Sequence, residues 1–92
     1  MKGWTSDGAG GYVRRISDRV ALRVMRDRPR SRTWHACALV DGLWLELGRA
    51  EKLQSTEALA EEVAAHRIMC SAARDYAQMC DYASDVRRAL SP

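Results

Sequence analysis

At 92 residues, with 47% apolar and 29% charged side chains, the chain has the length of one domain and too many apolar residues for disorder over most of it. Its longest apolar run, Ala36 to Val40, falls far short of the roughly 20 residues a membrane helix needs, and Met1-Lys2-Gly3-Trp4 opens without an apolar signal core. A cytoplasmic protein with no membrane segment is therefore expected. The net charge of +3 is unevenly spread, with nine basic and three acidic residues over 1–33 against six basic and nine acidic residues over 34–92.

Residues 1–11 contain Gly3, Gly8, Gly10 and Gly11, which predicts a flexible N-terminal arm before a single α+β domain over 12–92. Trp4 could pin that arm to the body. From Val13 the hydrophobic period becomes two. Val20, Leu22 and Val24 alternate with Ala21, Arg23 and Met25, the pattern of a half-buried strand. An arginine-rich loop with Pro29 follows. Trp34, Ala36, Ala38 and Val40 then alternate with His35, Cys37 and Leu39, and after Asp41-Gly42 come Leu43, Leu45 and Leu47 alternating with Trp44, Glu46 and Gly48. An Asp-Gly pair between two such runs predicts a type I′ hairpin, pairing Val40 with Leu43, Ala38 with Leu45 and Ala36 with Leu47. Those pairs share a core face with Val20, Leu22 and Val24. The opposite face then carries Arg23, Met25, His35, Leu39 and Trp44.

Ser55 is the expected N-cap of a helix starting near Thr56, with Glu57 in its first turn. Neither Gly nor Pro occurs from Thr56 to Leu90. One apolar stripe runs Leu59, Val63, Cys70, Ala73 and Ala77, and another runs Met69, Ala72, Tyr76, Met79, Ala83, Val86 and Leu90. Unbroken, this helix would be about 50 Å long, while a compact chain of this size is about 30 Å across. A break around Arg67 to Ser71 is expected, and a projecting half that forms a homodimer through the C-terminal helix is the alternative. The expected fold is thus a three- to four-stranded antiparallel sheet from Tyr12 to Ala50 followed by one or two C-terminal helices.

No pattern of catalytic chemistry emerges. Cys37, Cys70 and Cys80 have no CxxC spacing, and free thiols are expected. His35 with Cys37 and His66 with Cys70 have ligand-like spacings, but the strand register puts the two pairs on opposite sides of the sheet, so neither metal nor cofactor is expected. Glu61-Glu62 reads as a solvated helix face. GxxxxGK[ST], GxGxxG and HExxH are absent.

The remaining signal is a binding surface. Arg26, Arg28, Arg30 and Arg32 alternate across a strand end and loop, with Arg14 and Arg15 nearby, a field suited to phosphates or acidic protein. The outer sheet face offers Arg23, His35, Leu39 and Trp44, residue types among which Trp and Arg are enriched at binding hot spots.

Trp34-x-Ala36, Trp44-Leu45-x-Leu47-Gly48 and Ser55-Thr56-Glu57-Ala58 resemble the AP2-type DNA-binding domain over residues 12–66, which implies three strands, a helix and a sheet face that meets the major groove. The strand-strand-helix order with a Gly before a Ser-initiated helix is also similar to a double-stranded RNA-binding domain. That family needs lysines where Glu57, Glu61 and Glu62 stand here. In format, a charge-asymmetric chain with a sheet-plus-helix plan resembles small phage and mobile-element inhibitors of the anti-CRISPR type. The expected function is non-enzymatic binding that blocks or modulates a protein or nucleoprotein partner. Nucleic-acid binding through the arginine loop is the alternative.

Overall fold

The computed structural model describes residues 3–26, 28–71 and 75–91. Met1 and Lys2 of the expected arm, Asp27 of the loop, and Ala72 and Ala73 of the helix stripes lie outside the described residues. The elements in order are β1 (Thr5–Ser6), β2 (Tyr12–Arg15), β3 (Val20–Arg26), β4 (Trp34–Val40), β5 (Leu43–Ala50), α1 (Leu53–Met69) and α2 (Tyr76–Leu90). The strands form one antiparallel meander in the order β1-β2-β3-β4-β5. The fold is α+β, a five-stranded antiparallel sheet followed by two helices.

The extra strand comes from the glycine-rich stretch. Over 3–11 this segment differs from the flexible arm that its composition suggests. Thr5 pairs with Val13 and Ser6 with Tyr12, and Trp4 is buried at 8% exposure in the core cluster. A long-range hydrogen bond fixes it there. Trp4 Nε1 donates to Glu61 Oε2 on α1 at 2.8 Å. Composition could not show this contact because it joins residues 57 positions apart.

The Asp41-Gly42 turn forms as its chemistry requires, with φ of 50° and 82°. Val40 pairs with Leu43, Leu39 with Trp44, Ala38 with Leu45 and Cys37 with Glu46. The expected pairing of Ala36 with Leu47 is displaced by one residue. A bulge lets Leu47 pass unpaired, and Ala36 faces Gly48 instead. Gly48 has φ of 144°, and a Cβ there would lie 2.7 Å from Leu59 Cδ2. The bulge and the close passage of α1 both depend on that missing side chain.

Val20, Leu22, Val24, Ala36, Ala38 and Val40 are at most 1% exposed beneath the helices. Against the small Ala36 and Ala38, α1 sets Thr56, Ala60, Ala64 and Ile68 at four-residue spacing, all fully buried. This corrects the expected stripe through Leu59, Val63 and Cys70: Leu59 and Val63 flank the contact, and Cys70 is exposed. Small residues on both surfaces bring the helix close, so the alanines outrank the larger side chains. The helix also starts earlier than Ser55 predicts. Lys52 is the cap residue, and the Thr56 hydroxyl donates to the Lys52 carbonyl at 2.8 Å. Ser55 is therefore exposed within the first turn.

The break falls where expected, since α1 ends at Met69 and α2 begins at Tyr76. Asp75 caps α2 by accepting from the Ala77 amide at 2.7 Å. Met79, Tyr82, Ala83 and Val86 complete the core, whereas Tyr76 is 70% exposed rather than part of the stripe. Trp4 and the elements from β2 to α2 feed one apolar cluster. Among the described residues, no helix is long and apolar enough to cross a membrane.

Candidate binding surface

Both helices pack on one side of the sheet, and neither lies on the other. The uncovered face is assembled by alternation along three long strands. Arg23 and Met25 come from β3, His35, Cys37 and Leu39 from β4, and Trp44 and Glu46 from β5. The register sets Arg23 beside Cys37, Met25 beside His35, and Leu39 beside Trp44. Trp44 is 45% exposed, one of two large apolar side chains so exposed among the described residues.

Arg23 organises this face. Its guanidinium lies 5.8 Å from the centre of the Trp44 ring and donates to Asp7 Oδ2 at 2.8 Å. Asp7 also accepts from the amides of Ala9 at 2.8 Å and Gly11 at 3.0 Å. These three donors hold its carboxyl below the usual aspartate range, the Ala9 amide contributing most. The sequence offered a signal for this turn, because an Asp before glycines bonds readily to the backbone two residues on. The link to Arg23 needed the sheet.

Cys37 lies between Arg23 and Glu46 in the register and is fully buried although no helix covers that face. Burial pushes its thiol up to about 12. The thiol therefore stays protonated near neutral pH and is a poor nucleophile. His35 Nδ1 approaches Glu46 Oε1 at 3.6 Å, and Arg49 approaches the same oxygen at 3.9 Å. His66 and Cys70 contact one another at 3.4 Å at the end of α1, away from His35 and Cys37.

The arginines separate into distinct environments. Arg14 is removed from the basic surface, since its register points it to the helix side. It donates to Glu61 Oε2 at 2.8 Å and to the Ala89 carbonyl at 3.3 Å. Glu61 is correspondingly no solvated face residue, unlike the exposed Glu62 beside it. Arg15 is exposed at the end of β2, in register with Ala21. Arg26 stands over Trp34, its Cζ 4.7 Å from the ring centre. Arg28, Arg30 and Arg32 are exposed on the β3–β4 loop, which is tightened by a hydrogen bond from the Ser31 amide to the Arg28 carbonyl at 3.0 Å.

The structure thus gathers Arg23, His35, Leu39 and Trp44 on one face. It sets the loop arginines at the end of the sheet, about 17 Å from Trp44 along β4 at strand rise. Compared with family models, curated proteins and solved structures, the chain matches none.

Proposed function

We propose that the chain is a non-enzymatic binding protein that docks its uncovered sheet face on a macromolecular partner and thereby blocks or modulates it, as cytoplasmic mobile-element inhibitors of the anti-CRISPR type do. The observation that carries this reading is the half-exposed Trp44, with Arg23 standing 5.8 Å from its ring, on a face that neither helix covers. A rigid ring on a strand loses little conformational freedom on binding, and an arginine beside it adds directed donors. Leu39 and Met25 extend the apolar area, and His35 adds a polar edge.

The test is capture of partners from bacterial lysate on the immobilised chain, with and without nuclease. A protein complex that survives nuclease, and that is lost with Trp44→Ala while the melting temperature stays close to wild type, supports the proposal. Equal capture by Trp44→Ala refutes it. Direct nucleic-acid binding is the second reading, favoured by Arg28, Arg30 and Arg32, which have no ion-pair partner among the described residues. It predicts recovery of nucleic acid alone, with affinity that falls steeply with salt because displaced counterions must return to the phosphates.

A further inference from the structure

A concavity adjoins the outer face and shares Arg23 and Met25 with it. At the end of the sheet where the β1–β2 turn, the β3–β4 loop and the start of α1 meet, a groove of about 890 Å³ opens between Gly10, Tyr12, Arg26, Arg28, Pro29 and Trp34. That is the size of a pocket for a small ligand or a short peptide.

Its charge is unbalanced. Asp7 is the only acid among the described lining residues. The Ala9 and Gly11 amides and the Arg23 guanidinium already engage it, at 2.8, 3.0 and 2.8 Å. The glycine turn therefore holds an anion of its own, and Arg23 is neutralised. Arg26 and Arg28 remain. Arg26 is pre-positioned, with its Cζ 4.7 Å from the Trp34 ring centre and Nη1 donating to the Pro29 carbonyl at 3.4 Å. Stacking occupies the face of a guanidinium but leaves donors on its edge for an incoming oxyanion. Arg28 is exposed and has no ion-pair partner among the described residues.

The apolar lining decides between two kinds of anionic partner. A single strand gripped in a groove would need an open aromatic face on which a base could stack. Trp34 is only 8% exposed with Arg26 over its ring, and the half-buried Tyr12 ring is tilted against Trp34, their centres 6.3 Å apart. What the groove does expose beside the arginines is aliphatic surface from Met25, Pro29 and Leu53. This suits an aliphatic side chain carried between carboxylates.

We propose that this groove docks an acidic segment of a partner protein, with carboxylates on Arg26 and Arg28 and an aliphatic side chain against Met25 and Pro29. The inference rests on the reading of the chain as a binding protein; Met25 belongs to both surfaces, but Trp44 and Arg28 belong to one each, so the two can fail separately.

The experiment is fluorescence polarisation on the full chain with three labelled probes: a short peptide alternating glutamate and leucine, the same peptide with glutamine for glutamate, and a short oligothymidylate. Saturable binding of the acidic peptide alone is expected, weakened about tenfold by Arg28→Ala through loss of one charge-assisted contact and unchanged by Trp44→Ala. Arg28 is exposed on a loop, so its replacement leaves the core intact. Equal binding of the glutamine peptide, binding of oligothymidylate in place of the acidic peptide, or indifference to Arg28→Ala would each overturn the proposal. If Trp44→Ala proves neutral in lysate capture while the peptide still binds, only the outer-face reading falls.

Discussion

Glu61 joins three parts of the chain, and cutting it to alanine measures how much that junction contributes. Its Oε2 accepts from Trp4 Nε1 and from Arg14 Nη1, each at 2.8 Å. Trp4 precedes β1, Arg14 lies on β2, and Glu61 lies on α1, so one oxygen ties the sheet edge to the helix. Hydrogen bonds to a charged group contribute about 1.5–3 kcal/mol each. The Arg14 and Glu61 side chains retain 19% and 23% exposure, so water recovers part of that loss. The expected cost of Glu61→Ala is therefore about 2–4 kcal/mol. For a domain of this size that corresponds to a fall in Tm of roughly 10–25 °C. Glu61→Gln keeps one acceptor oxygen whose two lone pairs can still serve both donors, and it should lose about half as much because the bonds are no longer charge-assisted. Glu62→Ala, at the exposed neighbouring position, should stay within about 0.5 kcal/mol of wild type. Urea and thermal unfolding followed by circular dichroism provide the assay. Matching Tm values for Glu61→Ala and Glu62→Ala would refute the reasoning.

Three further outcomes follow from buried and strained positions. Glu57 is 2% exposed, and desolvation raises its pKa above the usual 4.5, with Glu61 adding repulsion. A raised carboxyl favours the folded state below that value and disfavours it as pH rises through the folded pKa. Glu57→Gln should thus raise Tm at pH 7, and the gain should vanish as pH falls to about 4.5 in a pH series of melts. Native alkylation followed by mass spectrometry should modify the exposed Cys70, and it should reach Cys37 only after denaturation, because that thiol is buried and raised to about 12. Gly48→Ala meets both an unfavourable φ of 144° and Leu59 Cδ2 at 2.7 Å. It should cost about 1–3 kcal/mol in chemical denaturation, and an unchanged midpoint would show that the bulge tolerates a side chain.

The sequence by itself determined the antiparallel α+β plan and the Asp41-Gly42 hairpin, and it favoured a break near Arg67 to Ser71 over a projecting helix. It also assigned Arg23, His35, Leu39 and Trp44 to one face. Each of these follows from local chemistry: positive φ at an Asp-Gly turn, a side-chain period of two along strands, and the length of an unbroken helix against the width of the chain. Tertiary structure alone decided that residues 5–6 form an edge strand, that α1 buries Ala60 and Ala64 in preference to Leu59 and Val63, and that Leu47 is the bulged residue. It also withdrew Arg14 from the basic surface by pairing it with Glu61, and it set Arg26 on Trp34 at the rim of a groove. These outcomes depend on pairs of residues distant in the chain. Local pattern shows which face a side chain takes, but the partner waiting on that face is fixed only when the sheet and helices close on one another.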